Sequence, residues 1–326
     1  MKAGFLLLLL GSLLCFGQSP ATKAAQEKAS VLLKVRKPQE AKAVLEQALQ
    51  AEPRQVELLT LLGEAHLRLG DAEKALECAD KAIQLDPNKA RAYTLRGNTL
   101  GRKAMQVNFL RAMTLVGGIR GAYEKGVHLD PGSRETRSGL FNFYLNAPSI
   151  AGGGLDKAEA FAEQTMAHDR ALGHRFKGLI RDLQKNPRAA QAEYRLSLQS
   201  DPKAADTYNM LGYAELELKE VDQALEHFLQ QVRLDPENPN SYDSLGDGWL
   251  AKGRLDEAIA AYRKSLALDP LFTASMRSLG KALEQAGRRD EAIQHYRHCA
   301  QLGTQKGITQ IVKEANARLQ ALGAKD

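Results

Sequence analysis

Three residues in the run HYRHC, His295, His298 and Cys299, have the types and spacing to hold a metal. Imidazole and thiolate suit zinc, and on a helix positions i and i+3 meet on one face. Three ligands from one helix seldom converge, so a metal-binding protein or metal-dependent enzyme stands only as an alternative to ordinary packing. His168 and His174 have no third ligand near them and read as surface residues. Asp243 and Asp247 have the i, i+4 spacing of a carboxylate pair suited to acid–base work, but helices carry many such pairs on solvated faces. The glycines Gly152–Gly154 precede a helix start near Asp156, where backbone N–H groups could meet a phosphate. They lack a following Lys-Ser/Thr and a preceding strand, so a flexible connector is the better reading. No Gly-x-Ser-x-Gly elbow, His-Glu-x-x-His helix or dinucleotide glycine fingerprint occurs. The expectation is a protein without catalytic residues and without a cofactor.

The elements that would position these residues are helices. In residues 239–272, PNSYDSLGDGWLAKGRLDEAIAAYRKSLALDPLF, Leu245 and Trp249 share one helical face, and Ala258, Tyr262 and Ser265 share another. Gly253 breaks the chain between the two helices and Asp269-Pro270 ends the second. Gly246 and Ala258 are small where two helix backbones must approach closely. The same pattern recurs at a period of 34 residues, with Pro53, Pro87, Pro202, Pro236 and Pro270 as terminators. Ala41, Ala75, Ala190, Ala224, Ala258 and Ala292 hold the small position of the second helix.

These positions resemble the tetratricopeptide repeat, with Tyr242 standing where the family motif has Trp. The resemblance implies an all-α, right-handed α-solenoid of about eight helix-turn-helix repeats, followed by a C-terminal capping helix. The expected repeats are 22–55, 56–89, 90–133, 134–170, 171–204, 205–238, 239–272 and 273–306, with the cap at 307–322, one extended domain over 22–322. A solenoid escapes the size limit of a single core, because each repeat packs on its neighbours. Arg170 and Thr304 stand where repeats four and eight should end in Pro, which predicts bent or looser junctions there. The stretch FYLNAPSIAGGGLDKA, with the long repeat before it, is similar to a variety of exported bacterial tetratricopeptide proteins.

Residues 1–17 have Lys2, an apolar run Phe5–Leu14 and small residues near the end, as in a secretory signal peptide. Cleavage is expected before Gln18, giving a periplasmic or secreted protein; lipidation at Cys15, an envelope lipoprotein, is the alternative. Cys78 and Cys299 fall in distant repeats and read as buried, unpaired thiols. A formal charge of +6 favours acidic surfaces at most, and nucleic acid is a poor partner.

Repeat three runs 44 residues between Pro87 and Pro131, ten more than the period. The additional residues near Gly101–Gly118 predict a first helix longer by almost three turns. A second reading is an exposed apolar stripe of Met105, Phe109, Ala112 or Met113, and Val116, flanked by Arg102, Lys103, Arg111 and Arg120. Such a stripe would make the chain a peripheral membrane or cell-wall adaptor.

In the family that the chain resembles, first helices line a concave groove, which implies partner-binding roles for Asn142, Arg175, Asp182, Asp206, Asn209, Tyr213, Asn240, Asp243, Asp247, Arg277 and Lys281, with Glu284. Amides and acids can bond an extended peptide while Tyr213 supplies apolar contact. The Lys-Asn-Asn-Lys-Arg clamp by which some members hold a chain-terminal carboxylate is not matched: Asn209, Tyr213, Ser244, Ala274 and Ser278 stand instead. The expected role is a non-catalytic scaffold binding a protein or peptide in a bacterial envelope, in assembly of a surface structure.

Overall fold

The computed structural model describes residues 19–324, so the expected signal peptide and Cys15 lie outside the described residues. Five helices stop at Asp-Pro, at Asp86, Asp130, Asp201, Asp235 and Asp269. Proline disfavours the helical conformation in the residue before it, and each of these aspartates lies outside the helical region, with φ between −135° and −142°. Four then use the carboxylate as a turn acceptor: Asp86 Oδ1 takes the Asn88 N–H at 2.9 Å, Asp130 that of Gly132 at 3.1 Å, Asp201 that of Lys203 at 3.2 Å, and Asp269 that of Leu271 at 2.9 Å.

Among the described residues there are seventeen α-helices, one 3-10 turn and no strand. The chain divides into two units, one ending at Leu140 and the other beginning at Phe141. The first holds α1 (Pro20–Lys34), α2 (Pro38–Ala51), α3 (Val56–Arg68), α4 (Ala72–Leu85), α5 (Ala90–Gln106), α6 (Phe109–Leu129) and the start of α7 (Arg134–Asn146). The second holds the rest of α7, α8 (Leu155–Met166), α9 (Arg170–Leu183), α10 (Pro187–Ser200), α11 (Ala205–Glu217) and α12 (Val221–Leu234). It continues through α13 (Pro239–Ala251), α14 (Leu255–Leu268), α15 (Thr273–Gln285), α16 (Arg289–Lys306) and α17 (Thr309–Ala321). Within each unit, consecutive helices pair as hairpins and each hairpin packs on the next. This is an all-α repeat solenoid, whose core is a series of small clusters between neighbours.

One packing device recurs. A ring from the second helix lies on a glycine of the first, so closely that a Cβ could not fit. A Cβ on Gly246 would lie 2.4 Å from the Tyr262 ring, one on Gly212 2.5 Å from Phe228, and one on Gly178 2.3 Å from Tyr194. The second-helix alanines Ala41, Ala75, Ala190, Ala224, Ala258 and Ala292 are each 0% exposed, which is why nothing larger stands there.

Four expectations are corrected. The ten residues added to repeat three are shared: α5 has 17 residues and α6 has 21, separated by Val107 and Asn108. Asn108 divides them, because its side chain accepts the Arg111 N–H at 3.1 Å and caps α6. The glycine run is a packed turn and not a flexible connector. Gly152 and Gly153 are buried, and the amides of Gly152, Gly153 and Gly154 bond Ser149, Pro148 and Tyr144 carbonyls at 2.9, 3.2 and 2.7 Å. The same bonds leave those amides nothing to offer a phosphate. His174 is buried at 6% exposure, whereas His168 is exposed. The junction before Arg170 is short, Ala167–Asp169, with Asp169 capping Leu172 N–H at 2.9 Å, and α16 runs straight through Thr304 until Gly307 takes φ 70°.

Candidate functional site

The HYRHC run lies on α16, where Cys299 Sγ comes within 3.4 Å of His295 Nε2 but, among the described residues, no third donor joins them to hold a metal. His298 is exposed, while Cys299 is buried at 3% exposure. His295 Nε2 lies 2.8 Å from the Met276 carbonyl and so carries the proton that it donates there, which leaves that nitrogen no lone pair for a metal shared with Cys299. Burial lowers the His295 pKa and pushes the Cys299 thiol up to about 11, where no thiolate is present at neutral pH. Among the described residues no group of three His, Cys, Asp or Glu side chains is placed to hold a metal ion. Cys78 and Cys299 are both free and buried.

The first helices of the second unit carry the residues anticipated for partner binding. Asn142 is exposed on α7. On α9, Arg175 faces Asp206 of α11 at 3.8 Å, and Asp182 accepts the Tyr194 hydroxyl. Burial raises the Asp182 carboxyl above the usual range, against the hydrogen bond that lowers it. Lys281 is exposed on α15; on the same helix Arg277 pairs with Glu314 of α17 at 2.5 Å, and Glu284 accepts the Tyr296 hydroxyl at 2.7 Å and pairs with Arg318. Burial works to raise the Glu284 carboxyl, yet the bonds from Arg318 and Tyr296 hold it below its ordinary value.

At the centre the structure joins five residues of α11 and α13 in one network. Asn209 donates to Ser244 Oγ at 2.6 Å and to Gln231 of α12 at 3.1 Å, and Ser244 donates to the Asn240 carbonyl at 3.0 Å. Tyr213 lies 3.2 Å from Ser244 Oγ and donates to Asp247 Oδ2 at 2.8 Å. Asp247 also accepts the Tyr262 hydroxyl at 2.7 Å. Tyr213 is held edge-on to Phe228, centroids 5.2 Å apart, yet stays 36% exposed. A ring fixed in this way in a polar surface has little rotamer freedom left to lose on a contact.

Asp243 is different. It is only 5% exposed, turned into the packing between α13 and α15, where Ser275 donates to it at 2.5 Å. Its carboxylate therefore supports the wall and does not point at a ligand. Desolvation, with the nearby Asp247 charge, pushes its pKa up to about 6 despite the Ser275 bond.

Beside Lys281, between α15, α16 and α17, lies a cleft of about 340 Å³ with a floor of Met276, Tyr296, Ile311 and Ala315. Its size suits one large apolar side chain of a partner segment.

The sequence reading missed a buried acid whose partners Arg195 and His227 reach the surface. Glu215 of α11 is 0% exposed and accepts from His227 at 2.6 Å, Arg195 at 3.2 Å and Gln191 at 3.3 Å. Its repeat position is the one Trp249 holds in the next repeat, an internal one, so the acid there had to be paired.

The tetratricopeptide repeat model matches residues 27–90, 182–239 and 245–303, together more than half of the chain. No curated protein matches the chain in sequence. A chain in the crystal structure of the APC/C hetero-tetramer Cut9–Hcn1 is similar in fold, with a TM-score of 0.53 at 16% identity. The match covers 89% of this chain and 55% of that one, so the present chain spans about half of its length. With the periodic glycine and alanine packing already described, the matched segments mean that the chain belongs to the tetratricopeptide repeat family, a protein-interaction scaffold fold.

Proposed function

We propose that the chain is a non-catalytic scaffold of a bacterial cell envelope, which holds an extended protein or peptide segment in a groove along the first helices α7, α9, α11, α13 and α15. The observation that carries the reading is Tyr213, a ring pinned by Ser244, Asp247 and Phe228 that still offers 36% of its surface to solvent. On α7, α11 and α15, Asn142, Asp206 and Lys281 are exposed and able to bond a peptide backbone or its charged side chains. The cleft beside Lys281 would seat an apolar anchor. Support for the envelope comes from the apolar leader of residues 1–17 and from the FYLNAPSIAGGGLDKA stretch. Assembly of a surface structure is the process such a scaffold would serve.

The test is capture from envelope extract with the full chain, followed by the same capture with Tyr213→Ala, Tyr213→Phe and Lys281→Glu. A specific partner should be retained by Y213F, which keeps the ring, and lost by Y213A and K281E. A partner indifferent to all three, or none at all, overturns the groove. Recovery of the native protein in the cytoplasmic fraction overturns the envelope placement independently.

A further inference from the structure

The tip of the α5–α6 hairpin is the most exposed apolar surface among the described residues of the first unit. Met105 is 86% exposed, Leu110 78%, Phe109 65% and Val107 36%. Ala112, Met113 and Val116, which the sequence placed in the same stripe, are half-buried along α6, so the apolar surface is a point and not a stripe. Its base is firm: Asn108 caps α6, and Leu100 of α5 packs over Gly118, where a Cβ would meet it at 3.1 Å.

The chain that forms the tip is rich in cations, with Asp71 and Glu73 the acids that line the hollow beside Val107. Between Asp86 and Glu124 the chain has no acidic residue and seven basic ones. Five of the seven are paired: Lys89 with Glu57 at 2.5 Å, Arg91 with Glu64 at 2.8 Å, Arg96 with Asp80 at 2.8 Å, Lys103 with Glu73 at 2.8 Å and Arg120 with Glu124 at 3.7 Å. The other two, Arg102 and Arg111, are exposed, have no side-chain bond among the described residues, and flank the apolar point on either side. Cations left unpaired beside exposed Met, Phe and Leu fit a surface that is anionic outside and hydrocarbon beneath. The long arginine stems let the guanidinium groups stay at headgroup level while the tip goes deeper.

We infer that the α5–α6 tip docks on an anionic phospholipid surface, with Phe109, Leu110 and Met105 entering the acyl boundary and Arg102 and Arg111 bonding lipid phosphates. A protein groove is the less favoured occupant, because the apolar residues project from two helix ends and form no continuous face for a matching cleft. This inference stands apart from the first-helix groove of the second unit.

The test is sedimentation of the full chain with vesicles of phosphatidylcholine alone and of phosphatidylcholine and phosphatidylglycerol in equal parts. Binding should require phosphatidylglycerol, fall with added salt, and weaken roughly fivefold for each of Arg102→Gln and Arg111→Gln. The triple variant M105S/F109S/L110S should lose most binding while its circular dichroism and melting stay unchanged, since these side chains contribute little to the core. An environment-sensitive probe on L110C, in a chain that also carries Cys15→Ser, should shift to the blue with anionic vesicles; Cys78 and Cys299 are buried and do not compete for label. No sedimentation of the wild type, equal binding by the triple variant, or a probe on L110C that shifts no further with phosphatidylglycerol-containing vesicles than without vesicles would overturn the inference.

Discussion

Ser275 of α15 donates its hydroxyl to the Asp243 carboxylate of α13 at 2.5 Å, inside packing that leaves the acid 5% exposed. The bond ties two neighbouring repeats, but it holds a charge where water is scarce. The folded-state pKa is pushed up to about 6, above the ordinary aspartate value of 3.8. Folded protein therefore binds the additional proton between these values. The favourable contribution is complete below about pH 4 and is lost as pH rises through about 6. Asp243→Asn keeps an acceptor for Ser275 and removes the charge. It should stabilise the protein by ~1–2 kcal/mol at pH 8 and by almost nothing at pH 4. Urea unfolding at the two pH values measures this; an Asn variant less stable at pH 8 would refute the assignment.

Asp247 accepts from two tyrosines on different helices, so removing the acceptor should cost more than removing one donor. Tyr262→Phe removes a donor and leaves a half-exposed carboxylate to water and Tyr213, costing ~1 kcal/mol. Asp247→Ala severs both tyrosine bonds and leaves the hydroxyl of Tyr262, a residue 0% exposed, with Ser278 alone, costing ~2–3 kcal/mol. Denaturant midpoints with unchanged slopes would confirm the order, and equal costs would argue against it.

The repeat was legible because its constraints are local and periodic. Gly246 beneath Tyr262, Ala258 at 0% exposure and the Asp-Pro stops each read at one position of a 34-residue frame. What was lost depended on neighbours. The wall positions were read correctly as lying on first helices, but whether an acid faces solvent depends on the next helix: Ser275 turns Asp243 inward, while Asp206 stays outside. His174 had a usable signal, since it holds the repeat position of Tyr242, and its Nδ1 bonds Glu193 at 2.8 Å. Asn108 likewise marked a helix start inside the inserted residues of repeat three, and only the capping habit of asparagine could have shown it.

Two classes of helical glycine should respond with opposite signs. Gly246→Ala would bring a Cβ to 2.4 Å from the Tyr262 ring, forcing the hairpin apart at ~2–3 kcal/mol. Gly117→Ala on α6 meets nothing within 4 Å and only restricts the unfolded chain, so it should stabilise by ~0.5–1 kcal/mol. Thermal melts of both variants check the contrast.

The turn inside six of the hairpins calls for a left-handed residue, and the chain fills it unevenly. Gly70, Gly253 and Gly287 take φ of 85°, 77° and 70°, whereas Arg36, Lys185 and Lys219 take 59°, 58° and 63° at the matching positions. A side chain with a Cβ is strained there, while its polar head is solvated and gains little in return. Lys185→Gly and Lys219→Gly should each stabilise the fold by ~0.5–1 kcal/mol, net of the glycine entropy cost. They lie in different hairpins, so the double variant should show nearly the sum. Gly253→Ala, the reverse change, should cost about 1 kcal/mol although no atom lies within 4 Å of the new Cβ. Steric crowding cannot explain a loss in open space, so that variant isolates backbone strain as the cause, and an unaltered melting temperature would reject it.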